Sequence, residues 1–106
     1  MNVQAGPLTV DLVRHEVRVD GVLLTAKRGK RQQRPWRLLE CLTRRAGEGV
    51  PYQTIAGEVL DFPDTGPYEL KNLRMIRRRL VNALGPSCAG LIQVIPGWGM
   101  RLEAKL

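Results

Sequence analysis

Residues 67–85 read PYELKNLRMIRRRLVNALG. The spacing predicts one amphipathic helix. Leu70, Leu73, Ile76 (or Arg77), Leu80 and Leu84 recur every three or four residues and so share a face. Lys71, Arg74, Arg77, Arg78 and Arg79 crowd the remainder, and no acid interrupts Leu70–Leu84. Pro67 suits a first helical position, where its missing N–H costs nothing. Gly85 followed by Pro86 is a stop, because proline cannot continue a helix. At 1.5 Å rise per residue the rod is about 27 Å long. A merely solvated face mixes charge signs, since like charges one turn apart repel. A run of one sign suits a helix that rests on a core and reaches into a polyanion.

Working outward, residues 91–104 give LIQVI, the turn PGWG, and a returning MRLEA, which together read as a β-hairpin. Upstream, DFPDTG is a turn-rich connector. Before it, YQTIAGEVL follows Val50-Pro51 as a short helix that can pack Ile55, Val59 and Leu60. PWRLLECLTRRAG from Pro35 is another, with Trp36, Leu38, Leu39 and Leu42 inward and Gly47 as its stop. Residues 26–34, AKRGKRQQR, form a basic, glycine-containing loop. Residues 8–25 read as a small antiparallel meander: LTVDLV (8–13), EVRV (16–19), and VLLT (22–25) after an Asp20-Gly21 hairpin turn. Strands, three helices over 35–84 and a terminal hairpin define an α+β chain, a winged helix-turn-helix in one domain over 1–106.

The totals agree with that order. At 106 residues the chain has the length of one domain. Its 43% hydrophobic and 25% charged content is globular rather than disordered. Seventeen Lys and Arg against ten Asp and Glu give a net charge of +7. The surplus is clustered: residues 27–45 hold eight cations and one acid, Glu40, and residues 71–79 hold five cations and none. A patchy positive field suggests nucleic acid first and an anionic membrane second. No apolar run approaches the roughly 20 residues of a membrane span, and MNVQAGPLTV is no signal peptide. Cys41 and Cys88 lack metal-ligand spacing, and Cys41 lies on an apolar stripe. The expected compartment is the reducing cytoplasm, at the nucleoid. The lone His15 sits at a turn with no Cys or carboxylate cluster near it in sequence. With no nucleophile–base pair and no phosphate-cradling glycine loop, neither an enzyme nor a cofactor is expected.

Four stretches resemble the OmpR/PhoB-type winged-helix effector domain of bacterial transcription regulators. LTVDLVRHEVRVDGVLLT resembles its N-terminal sheet. WRLLECLTRRAGEGVPYQTIAGEVL resembles its first two helices. LRMIRRRL is similar to its third helix, and IQVIPGWGMRL to its wing. Three features depart from the pattern. AKRGKRQQRP makes the link into the first helix several residues longer, Pro35 stands where an acid is usual, and Met100 replaces a wing aromatic. The resemblance implies binding of double-stranded DNA, with residues 67–84 in the major groove and the wing on an adjacent groove or the backbone. It does not imply control by aspartate phosphorylation.

By alignment of the third helix, Lys71, Met75 and Arg78 are the candidate readers of base edges. Lys or Arg suits guanine, and Met offers only apolar contact, such as to a thymine methyl. Asn72, Arg74 and Arg77 are the candidate phosphate contacts, with Arg79 flanking. Tyr52 and Gln53, near the start of the second helix, could hydrogen-bond phosphate. The wing offers Arg101 and Trp98, which either meets the sugar–phosphate backbone or a minor groove or folds back onto the domain. Lys27, Arg28, Lys30, Arg31 and Arg34 form a phosphate clamp, a minor-groove arm or an inert insertion. By resemblance the 61–66 loop corresponds to the one that touches RNA polymerase in activators, and head-to-tail dimers on DNA are a family habit. The alternative function is a protein-interaction module that binds RNA polymerase or another regulator. RNA binding is disfavoured by the few aromatics available for stacking.

Overall fold

The computed structural model describes residues 2–24, 34–61 and 66–103. Strands β1 (Asn2–Ala5), β2 (Leu8–Asp11), β3 (Glu16–Val19) and β4 (Val22–Leu23) form one antiparallel sheet in sequential order. Helices α1 (Arg34–Thr43), α2 (Tyr52–Val59) and α3 (Pro67–Leu84) follow. A second antiparallel sheet, of order β5-β7-β6, joins β5 (Gly49–Pro51), β6 (Ile92–Ile95) and β7 (Gly99–Leu102). The α+β winged arrangement expected from the element order is the one observed.

Alternation builds the first sheet. Val10 pairs with Val3 and Val17, and Leu8 with Ala5 and Val19, and all six turn inward. Asp20 and Gly21 link β3 to β4 with φ of 51° and 82°. Two consecutive positive φ values are what a two-residue hairpin demands, and Asp-Gly tolerates them. The expected strand over 8–13 ends early, because Asp11 Oδ1 accepts the N–H groups of Val13 and Arg14 and turns the chain. β4 is likewise shorter than VLLT, and Thr25 lies outside the described residues. Strand β1 was not expected at all: four residues carry too little alternation to declare themselves.

Three further boundaries differ from expectation. Arg34, placed in the basic loop by its sequence, is the first residue of α1. That helix ends at Thr43, whose hydroxyl donates to Leu39 O, and tighter turns carry the chain to Gly47. Residues 86–88 of the expected loop make one 3-10 turn. The wing has three strands rather than two, because Val50, thought only to open a helix, pairs with Met100.

One hydrophobic cluster joins both sheets to all three helices. Leu8 and Val10 share it with Leu38, Leu39, Cys41 and Leu42 of α1, Ile55 and Val59 of α2, Leu73, Ile76 and Leu80 of α3, and Ile92, Met100 and Leu102 of the wing. Met100 is fully buried, so a flexible thioether fills the space usual for an aromatic. His15, at a turn with φ of 55°, does find a carboxylate: its Nδ1 lies 3.0 Å from Oε2 of Glu40, which is itself buried. The pair ties the first sheet to α1.

Candidate nucleic-acid interface

Helix α3 starts at Pro67 behind Gly66 and carries Glu69 in its first turn, where the helix dipole favours an anion. It stops at Gly85, whose φ of 91° is easy only for glycine. Leu73, Ile76, Leu80 and Leu84 are buried, and Leu70 packs against the core edge. The opposite stripe follows from helical spacing: Lys71, Met75, Arg78 and Asn82 lie at i, i+4, i+7 and i+11. All four are exposed. Arg74 and Arg79 are exposed on either side of that stripe, while Asn72 is half-buried.

The expected cations divide sharply once their partners are known. Arg37 pairs with Asp61 and also donates to Glu58 O at 3.0 Å. Arg44 and Arg45 each reach Glu58 at 2.7 Å. Three of the four cations of residues 34–45 are therefore paired with acids, Glu58 of α2 and Asp61 just beyond it. Asp61 is held below the usual carboxylate range by the Arg37 hydrogen bond. By contrast, among the described residues every ion pair lies outside α3. Among the described residues Lys71, Arg74, Arg78 and Arg79 make no ion pair.

Three expected contact residues are engaged elsewhere. Arg77 is half-buried, and its Nε and Nη2 donate to Ile92 O at 3.2 and 2.7 Å. It fastens α3 to the wing instead of standing beside Arg74. Tyr52 is 7% exposed and belongs to the core, because the first turn of α2 faces inward there. Its backbone N–H is also taken, by Trp98 O at 2.9 Å. Arg101 donates to Gln93 Oε1 at 2.6 Å and pairs with Glu103 at 3.1 Å, so it is spent on the wing's own surface. Gln53 is exposed on the first turn of α2.

Trp98 at the wing tip folds back onto the domain, the second of the two alternatives its sequence left open. Its ring lies over Gly49, where an added Cβ would stand 2.7 Å from Cζ3 and 2.9 Å from Ile95 Cδ1. It nevertheless remains 47% exposed. Lys27, Arg28, Lys30 and Arg31 lie outside the described residues, as does most of the 61–66 loop. Asn82, not among the expected contacts, extends the exposed stripe by one turn beyond Arg78.

The DNA-binding domain of RstA from Klebsiella pneumoniae, solved in complex with the RstA box, superposes with a TM-score of 0.74 at 16% identity, covering 96% of each chain. This is a winged helix. The DNA-binding domain of CpxR from E. coli has the same winged helix, with a TM-score of 0.62 at 20% identity over 100% of this chain and 99% of that one. A streptococcal redox sensor evolved from two-component response regulators matches at 0.68 and 17% identity, with this winged helix spanning 44% of its length. The resemblance to OmpR/PhoB-type effector domains holds at the level of the fold. No protein-family model and no curated protein matches the sequence. Among the described residues, no helix is long and apolar enough to cross a membrane, and no group of three or more His, Cys, Asp or Glu could hold a metal ion.

Proposed function

We propose that the protein is a sequence-specific, double-stranded-DNA-binding transcription regulator. Helix α3 lies in the major groove, and the wing touches an adjacent groove or the backbone. The observation that carries this reading is the concentration on one exposed helix face of cations that make no ion pair among the described residues, when Arg37, Arg44 and Arg45 are matched by acids. The fold supports it, since the RstA domain that shares it was solved on its DNA box. Lys71, Met75 and Arg78 face base edges. Arg74 and Arg79, with Asn72 at the margin, face phosphates, which position the helix without specifying sequence. Gln53 and the exposed edge of Trp98 extend the contact beyond the groove. RNA polymerase at the 61–66 loop and a head-to-tail dimer on DNA belong to the same reading by resemblance alone.

Titration against random duplex DNA at several salt concentrations tests it. Log affinity should fall linearly with log salt, with a slope of about −0.9 per phosphate neutralised. Binding that is absent, or indifferent to salt, defeats the reading. Co-purification of RNA polymerase by the chain, lost on Asp61→Ala, tests the polymerase contact, and band counting on direct-repeat probes tests the dimer.

A further inference from the structure

We infer that the outer stripe of α3 reads a pyrimidine C5-methyl group set between guanines. The preferred duplex would carry thymine, or equally 5-methylcytosine, at the step facing Met75. The inference rests on the proposal that α3 enters the major groove.

Met75 is 45% exposed at the centre of a cationic face. A large apolar side chain there gains nothing from water, and its neighbours on the stripe are Lys71 one turn before and Arg78 one turn after. The major groove is mostly a field of hydrogen-bond donors and acceptors. Its one apolar feature is the methyl group on C5 of thymine. 5-Methylcytosine presents the same group at the same ring position. An unbranched thioether can settle onto such a methyl without a fixed approach angle. The groups to either side have the complementary chemistry. Lys71 and Arg78 are donors only, and guanine offers two acceptors, O6 and N7, at its major-groove edge. Neither side chain has an ion-pair partner among the described residues, so their N–H groups are not already committed.

Spacing sets the scale. Lys71 and Arg78 are seven residues apart on one helix, so about 10.5 Å separates them along the axis. That is about three steps of a 3.4 Å base-pair rise. Donor, methyl contact and donor therefore fall in order within one short stretch of groove. Arg74 and Arg79 lie on opposite sides of the stripe, as they must to meet both phosphate walls.

The test begins with selection of bound sequences from a random duplex library by the whole chain. The selected duplex is then remade with deoxyuridine for thymine, one position at a time. At the same positions it is remade with cytosine–guanine and 5-methylcytosine–guanine pairs. Burial of one methyl group changes an equilibrium constant about four-fold. At one position flanked by guanines, deoxyuridine should weaken binding about that much, and 5-methylcytosine should exceed cytosine by a similar factor. Met75→Ala should keep its melting temperature, because the residue is exposed, and should lose both differences. The inference is overturned if no methyl group changes affinity more than about two-fold, or if Met75→Ala discriminates as well as the wild type. Selection that yields no salt-sensitive duplex overturns the DNA-binding reading itself.

Discussion

Arginines 74 and 77 stand one turn apart on α3 and look alike in sequence, yet their surroundings give them different work. Arg77 spends its donors on Ile92 O in a half-buried setting. Arg77→Ala should therefore destabilise the fold by about 1–2 kcal/mol, a fall in melting temperature of roughly 5–10 °C for a domain of this size. Arg74→Ala removes a solvated charge. It should leave the melting curve in place and reduce the salt slope of DNA binding by about one unit for all sequences alike. Thermal melts and salt titrations of both variants separate the two roles. Cys41 offers a chemical check on the core. Burial pushes its thiol up to about 12, so no thiolate is available near neutral pH. Iodoacetamide should label native Cys41 only as fast as the protein unfolds, and readily in guanidinium, as read by mass spectrometry. The core role of Cys41 could be read from its place on an apolar stripe. The commitment of Arg77 could not, because its acceptor is a backbone carbonyl fifteen residues away, and backbone acceptors carry no sequence signature.

At the level of elements, periodic segments and turn-marked hairpins were legible, and the short strands β1 and β5 were not. The face of α3 followed from Leu73, Ile76 and Leu80 alone, and Asp20-Gly21 announced its hairpin. Strands β1 and β5 are three or four residues long and exist only because a partner strand completes their hydrogen bonds. The β5–β7 contact is tight enough to test. A Cβ on Gly99 would stand 1.8 Å from Val50 O, which a side chain can occupy only if the strands part. Gly99→Ala should cost about 2–3 kcal/mol, visible as a melting temperature lower by roughly 10 °C or more. Gly49→Ala acts more locally, by lifting the Trp98 ring from its seat. Its expected sign is a red shift of tryptophan emission with little loss of stability, since Trp36 stays buried at 6% exposure.

For the whole molecule, the sign of the field follows from composition and its distribution from the fold. Eight cations over 27–45 suggested one broad basic region, whereas Glu58 of α2 and Asp61 just beyond it pair with three of them, Arg37, Arg44 and Arg45. Such pairings join residues many positions apart, so no local window shows them. They also predict how stability depends on acid. The Arg37 hydrogen bond lowers the Asp61 carboxyl, and backbone N–H groups of the turn, that of Arg14 foremost, lower Asp11. A carboxyl lowered in the folded state contributes stability above its unfolded value of about 3.9. That contribution is lost as pH falls through the folded value. Melting temperature should thus decline below about pH 4, and less steeply in Asp61→Asn, as thermal melts across the acid range would record. The fastening of Arg77 to Ile92 O and of Tyr52 N–H to Trp98 O bears on recognition as well as stability. It makes α3 and the wing the two jaws of one caliper with a fixed gap. If the chain binds DNA as proposed, a gauge of that kind would accept a duplex by the width and twist of its grooves before any base is inspected.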